Sequence, residues 1–273
     1  MSDLIYEKKE PFAILKLNRP ESLNAFSVSM LKGWAEALQD AQKDPEIRVI
    51  IVTGTGKAFC AGGDVKTMLA GKGFVAGDDK GEHWGELALD RKNALWKLVH
   101  QVPLTLEQVD KPVIASINGV AVGAGLDMAL MCDLRIAADN VKLSAGYVKV
   151  GLVPGDGGAY FLPRLVGTAK ALELLWTGDF IDAKEAERIG LVNKVVPAEQ
   201  LEQATMELAQ KIADAPPICV QMIKRAVYQG LKMDLRAALD LISSQMAIVT
   251  EMQDHREGVL ALKEKRKPVF KGR

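Results

Sequence analysis

Two glycine-rich loops, AFCAGGDV (Ala58–Val65) and NGVAVGAGLD (Asn118–Asp127), hold the residues of this sequence best suited to chemistry. Each follows an expected strand and enters an expected helix, so each presents unpaired N–H groups where a helix begins, and such groups bind developing negative charge. Gly62, Gly63, Gly123 and Gly125 permit sharp turns and a ligand's approach to contact distance. The same glycines suit tight packing of strand against helix, and neither loop completes a Walker or dinucleotide fingerprint. A third loop, GLVPGDGG (Gly151–Gly158), sets the Asp156 carboxylate among glycines at an expected helix start, where it could equally be an N-cap. Other chemistries find less support. The cysteines at 60, 132 and 219 form no C-x-x-C pair, the histidines at 83, 100 and 255 are scattered, and no G-x-S-x-G elbow occurs. We therefore expect no metal and read the cysteines as reduced.

The elements that must position these loops follow from periodicity. Residues 12–18 begin a strand, and Ser27 caps a helix with Val28, Leu31, Trp34, Ala35 and Leu38 at helical spacing. RVIIVTG from Arg48 reads as a buried strand that empties into the first glycine loop, and PVIASIN from Pro112 does the same for the second. Between them, AGKGFVAGDDKGEHWGE reads as a mobile surface insertion and candidate lid, followed by a helix from about Glu86 to about Glu107. LRIAA and VKLSA are short strands; Ala159–Trp176 is mainly helical. Asp182 and Glu185 start another helix that Gly190 ends, and LVNKVV is a last strand. After Pro197 the pattern changes to amphipathic helices broken at Pro216-Pro217, with Leu235, Ala238, Leu239 and Ile242 on one face. The expected division is an α/β core over 1–197 and a helical region over 198–273.

Composition bounds the partners. The 273 residues carry 35 Lys plus Arg and 35 Asp plus Glu, so no bulk field draws the chain to nucleic acid or an acidic membrane. No apolar run reaches the roughly 18 residues of a membrane helix, and the acidic start MSDLIYEKKEPF fits neither a secretory signal nor a transit peptide. A cytoplasmic location is expected.

The segments LNRPESLNAF (Leu17–Phe26), AFCAGGD, KPVIASINGVAVGAGLDMALMCD (Lys111–Asp133), GLVPGDGG, WTGD (Trp176–Asp179), AERIGLVNKVV and the terminal EKRKPVF resemble, in collinear order, the crotonase (enoyl-CoA hydratase/isomerase) superfamily. The resemblance implies an α/β spiral of ββα units with a C-terminal α-helical region at a trimer interface, trimers commonly pairing into hexamers. It implies an acyl-CoA thioester substrate and no cofactor beyond the coenzyme A moiety. By position, Gly63 and Ala124 match the residues whose N–H groups form the oxyanion hole, where each such amide contributes roughly 3–4 kcal/mol. The resemblance also assigns substrate contacts to Ala25, Ala61, Gly63, Asp64, Val65, Lys66 and Ala124, and CoA phosphate to Lys265, whose other reading is a solvated surface charge.

A typical hydratase of this superfamily carries two glutamates where this chain has Asp127 and Tyr147. Asp127 keeps a carboxylate one methylene shorter, or is simply an aspartate favoured by a helix dipole. Tyr147 has an ordinary pKa near 10 and replaces a carboxylic acid poorly. Asp156 is the candidate replacement, since relatives place an active aspartate in that loop, although one residue earlier. The expected catalytic set is thus Asp127, Tyr147 and Asp156, acting on a thioester enolate. Hydrolysis, decarboxylation or dehalogenation of the thioester is the alternative reaction, and a non-catalytic CoA-ester-binding homologue the alternative class.

Overall fold

The computed structural model describes residues 2–76 and 87–273. Among them ten strands run in chain order: β1 (Leu4–Lys9), β2 (Phe12–Leu17), β3 (Val49–Gly54), β4 (Ala58–Cys60), β5 (Val113–Ile117), β6 (Val120–Val122), β7 (Leu134–Ala138), β8 (Lys142–Ser144), β9 (Ile181–Asp182) and β10 (Lys194–Val196). The longer ones form a six-stranded sheet in the order β1-β2-β3-β5-β7-β10, and the shorter ones a second sheet in the order β4-β6-β8-β9. Only β1 with β2 and β8 with β9 pair antiparallel.

This arrangement is one unit used three times. β3 with β4, β5 with β6, and β7 with β8 each place a long strand in the large sheet and a short strand in the small one. The helix Val65–Leu69, the helix Ala124–Leu130 and the 3₁₀ turn Gly146–Val150 follow in turn. Because successive units pair in parallel at the same positions, their connecting loops stack at one edge, which brings all three glycine loops together. Two segments read as loop from the sequence, AFC and VAV, are strands β4 and β6. Three residues give too short a period to read.

The β-branched run of β3 shows why its strand is buried on both faces. Ile50 and Val52 pack in the main core with Trp34 and Leu38 of the helix Val28–Lys43, which Ser27 caps through the Met30 N–H at 3.2 Å. Val49 and Ile51 point the other way, against Ala209 and Ala213 of the helix Leu201–Ala213. That helix covers the sheet, whereas Pro217–Gly230 and Leu235–Glu251 contain no buried residue. Arg48 ties the C-terminal region down, donating to Ala213 O and Phe270 O, both at 2.8 Å.

The insertion after the first glycine loop begins differently from expectation. Val75 is buried, Ala76 N–H donates to Phe26 O at 3.0 Å, and Val28 N–H donates to Ala76 O at 3.1 Å, so Phe74–Ala76 is stitched into the fold and is not a mobile surface. The remainder of the candidate lid, 77–86, lies outside the described residues. The expected helix to Glu107 is present from Ala88, with one wider π-helical turn at Leu95–Val99.

Loop stacking depends on absent side chains. A Cβ at Gly125 would stand 2.1 Å from Cys60 O, inside β4. Gly125→Ala is expected to push β4 from the helix Ala124–Leu130 and to cost roughly 1–3 kcal/mol of stability, visible as a lower denaturant midpoint; an unchanged midpoint would contradict this packing.

Candidate active site

The first two glycine loops interlock. A Cβ at Gly62, whose φ is +78°, would fall 2.8 Å from Val122 O, 2.9 Å from Gly125 N and 3.0 Å from Ala124 N. Glycine at 62 is thus required by both conformation and space. Backbone hydrogen bonds fix the loop from three sides: Ala61 N–H donates to Leu23 O at 2.9 Å, Phe26 N–H to Gly62 O at 2.7 Å and Asp64 N–H to Phe74 O at 2.8 Å. Among the described residues, no acceptor takes the N–H of Gly63 or of Ala124. Ala124 is the first residue of its helix, where an N–H has no intrahelical partner. Both N–H groups are thus left without an acceptor within the described fold.

One helical turn beyond Ala124, on the same face, stands Asp127. Its Oδ2 accepts from the Tyr147 hydroxyl at 2.5 Å and from Gly158 N–H at 2.8 Å. Tyr147 comes from the 3₁₀ turn after β8, and its hydroxyl also lies 3.0 Å from Asp156 Oδ2. The three side chains are nearly sealed from water, at 1%, 8% and 7% exposure for Asp127, Tyr147 and Asp156. Burial pushes the Asp127 carboxyl up to about 7, the neighbouring Asp156 charge adding to it against the hydrogen bonds from Tyr147 and Gly158. Burial also lifts Asp156 above its ordinary range, with Tyr147 and His100 pulling the other way, and raises the Tyr147 phenol through desolvation and both carboxylates. Two carboxyl groups on one phenol oxygen cannot both stay ionised cheaply, so the cluster suits one acid and one base.

The two aspartates differ in how they relate to helix starts. Asp156 is not the N-cap of the helix Gly158–Val166; Gly157 holds that position without a side-chain bond, and Asp156 turns inward. Asp127 lies in the first turn of its own helix, where the dipole favours it, and also receives the first N–H of that other one. Gly158 makes this close approach possible, because a Cβ there would stand 2.5 Å from Asp127 Oδ1.

Other predicted residues separate by role. Asp64 is buried, caps the helix Val65–Leu69 through Thr67 N–H at 3.1 Å and pairs with Arg19 at 3.3 Å, so its side chain is engaged in the loop's support. Ala25 is buried, its N–H donating to Ser22 O at 3.0 Å and its carbonyl accepting from Arg19 at 2.7 Å. Val65 and Lys66 are exposed beside the loop. Lys265, exposed and left-handed, ends the helix Gln253–Glu264, and no hydrogen bond or ion pair among the described residues joins it to the cluster.

Three supporting residues escaped sequence reasoning. Arg19 binds the Ala25–Phe26 strap to Asp64. Asn24, fully buried with φ +57°, donates to Thr55 O, Ala58 O and Phe59 O at 2.8–3.2 Å. Both lie in the segment LNRPESLNAF, whose local pattern carries no sign of these long-range bonds. His100 follows the π-helical turn, where its N–H reaches Leu95 O at 2.7 Å, and its Nε2 donates to Gly155 O at 2.6 Å, holding the third loop. Nothing in its local sequence marks that contact.

The enoyl-CoA hydratase/isomerase family profile matches residues 7–273. The chain belongs to that family. Among its relatives are the crotonyl-CoA hydratase of Syntrophomonas wolfei, 36% identical over 98% of this chain and 97% of that protein, and the short-chain-enoyl-CoA hydratase of Clostridium acetobutylicum, 35% identical over 98% and 97%. The solved enoyl-CoA hydratase of Bacillus anthracis superimposes with a TM-score of 0.90 at 35% identity, over 99% of this chain and 100% of that one. The crotonase-type α/β fold with a helical C-terminal region is thereby shown, as is acyl-CoA metabolism of the enoyl-CoA hydratase/isomerase type. No described helix of this family member is long and apolar enough to cross a membrane.

The raised Asp127 carboxyl carries a pH signature. Between about pH 4 and 7 the folded chain keeps a proton the unfolded chain has released. The resulting stability is complete below about pH 4 and is lost as pH rises through about 7. Asp127→Asn abolishes that dependence. Its stability relative to the parent chain is expected to improve by up to about 4 kcal/mol from about pH 4 to 8, measured by denaturant unfolding across pH. A constant difference would place the Asp127 carboxyl in the ordinary range.

Proposed function

We propose that this enzyme adds water reversibly across the α,β double bond of an enoyl-CoA thioester, with Asp127 and Asp156 as an acid–base pair joined by Tyr147. The observation that carries this reading is the buried Asp127–Tyr147–Asp156 cluster one helical turn from Ala124, in a chain similar over its length to named hydratases. The thioester oxygen accepts from Gly63 and Ala124 N–H. As water attacks Cβ, charge grows on that oxygen, and donors fixed beforehand stabilise the enolate more than the ground state. The ionised carboxyl takes a proton from water, and the neutral carboxyl delivers one to Cα. The burial that keeps one carboxyl protonated near neutrality makes the division of labour workable.

Asp127→Asn keeps an acceptor for Tyr147 and Gly158 but removes the titrating group. Hydration of crotonyl-CoA and longer enoyl-CoA esters, followed by loss of enoyl absorbance, is expected to fall about 10²–10⁴-fold. A variant as active as its parent would remove Asp127 from the chemistry.

The coenzyme A moiety is the only organic group this reading requires, and the balanced charge fits a cytoplasmic enzyme. Assembly supplies the phosphate contact. Leu235, Leu239, Ile242 and Met246 recur at helical spacing along Leu235–Glu251 and are all exposed in the single chain, a stripe that a second copy would cover. A trimer, or trimers paired as a hexamer, would bring one subunit's Lys265 to another's CoA. Sedimentation is expected to give a multiple of the 29.6 kDa chain, and Leu239→Glu with Ile242→Glu a single chain; a monomeric parent would refute assembly.

A further inference from the structure

The cluster contains fewer hydrogens than a reader of its two contacts would count. A phenol has one hydrogen, yet Tyr147 Oη faces Asp127 Oδ2 at 2.5 Å and Asp156 Oδ2 at 3.0 Å. It can donate to one carboxyl and must receive from the other. Two patterns with the same proton count satisfy that demand. In the first, Tyr147 donates to ionised Asp127, and protonated Asp156 donates to Tyr147. In the second, protonated Asp127 donates to Tyr147, and Tyr147 donates to ionised Asp156. With both carboxyls ionised, two buried charges would share one hydrogen, and one oxygen would face a lone pair.

The surroundings pull the charge in both directions. Gly158 N–H, at 2.8 Å, favours the charge on Asp127. His100, held on Gly155 O beside Asp156, favours the charge there. Among the described residues no buried side-chain polar atom lacks a partner.

Hydration needs this exchange. Starting from the second pattern, in which the raised Asp127 carboxyl holds the proton, Asp156 takes a proton from the attacking water and Asp127 gives its proton to Cα. The enzyme is left with Asp127 ionised and Asp156 protonated, which is the first pattern and cannot begin another forward cycle. We propose that Tyr147 relays the proton from Asp156 to Asp127 after each turnover, resetting the pair without exchange with bulk water. In the relay the Asp156 O–H hydrogen passes to Tyr147 Oη as the phenolic hydrogen passes to Asp127. Two O–H bonds break, two form, and the phenol never carries a charge. The relay rests on the hydration reading above, and it makes Tyr147 the carrier that regenerates the pair.

Tyr147→Phe separates this role from a purely structural one. With crotonyl-CoA, rapid mixing is expected to show a burst of one product per site at the parent's first-turnover rate. A steady state slower by about ten-fold or more should follow, with little change in KM. Formate, a small proton carrier, should raise the variant's steady state and leave the parent's unchanged. A first turnover slowed as much as the steady state would overturn the relay, as would a variant with the parent's steady rate. Should the variant fail to fold, 3-fluorotyrosine at position 147 keeps shape and hydrogen count. It is expected to alter the steady state alone, and an effect confined to the first turnover overturns the relay. A parent chain that consumes no enoyl-CoA ester would overturn the hydration reading and the cycle built on it; an active parent with a burst-free variant overturns the relay alone.

Discussion

The whole site depends on backbone approaching backbone where a side chain would stand. Cys60 O occupies the space of a Cβ at Gly125, and Ala124 N and Gly125 N occupy the space of one at Gly62. Because each loop fills the gap left by the other's glycine, the amides of Gly63 and Ala124 are held by neighbours that cannot relax without breaking strand contacts. Donors fixed in this way need no reorganisation as charge develops. The spiral of paired strands places the loops in reach, and the glycines let them close.

A second constraint operates on the acids. The Asp127 carboxylate lies against Gly158, where a methyl group would overlap it, and takes the first N–H of the helix Gly158–Val166. Burial raises both carboxyls, while the phenol between them links their protonation states. Tyr147 is a poor acid judged alone, but here it need not ionise. Its hydroxyl stands within hydrogen-bond reach of both carboxyls.

Support for the site reaches further than its chemistry. Arg19 and Asn24 secure the first loop through buried hydrogen bonds, and His100 secures the third from a widened helical turn. The apolar stripe on Leu235–Glu251, left uncovered in one chain, belongs to the same economy: a face with no partner within the fold is available to another copy.

Sequence alone determined the strands of strong β-branched character, the Ser27 and Asp182 caps, the break at Pro216-Pro217 and the family, because these rest on local periodicity and on motifs that survive in order along the chain. It also named Asp127, Tyr147 and Asp156. It did not show that they meet, since the contacts span 9 to 31 residues and depend on three loops stacking at one edge. The short strands β4 and β6 were hidden for want of length, and Phe74–Ala76 was taken for surface because its pairing partner, Phe26–Val28, is remote in sequence. Protonation was decided only by the tertiary structure. An aspartate's ordinary acidity is a property of the residue, whereas its value in this site is set by the water the fold removes and the oxygens it leaves in contact.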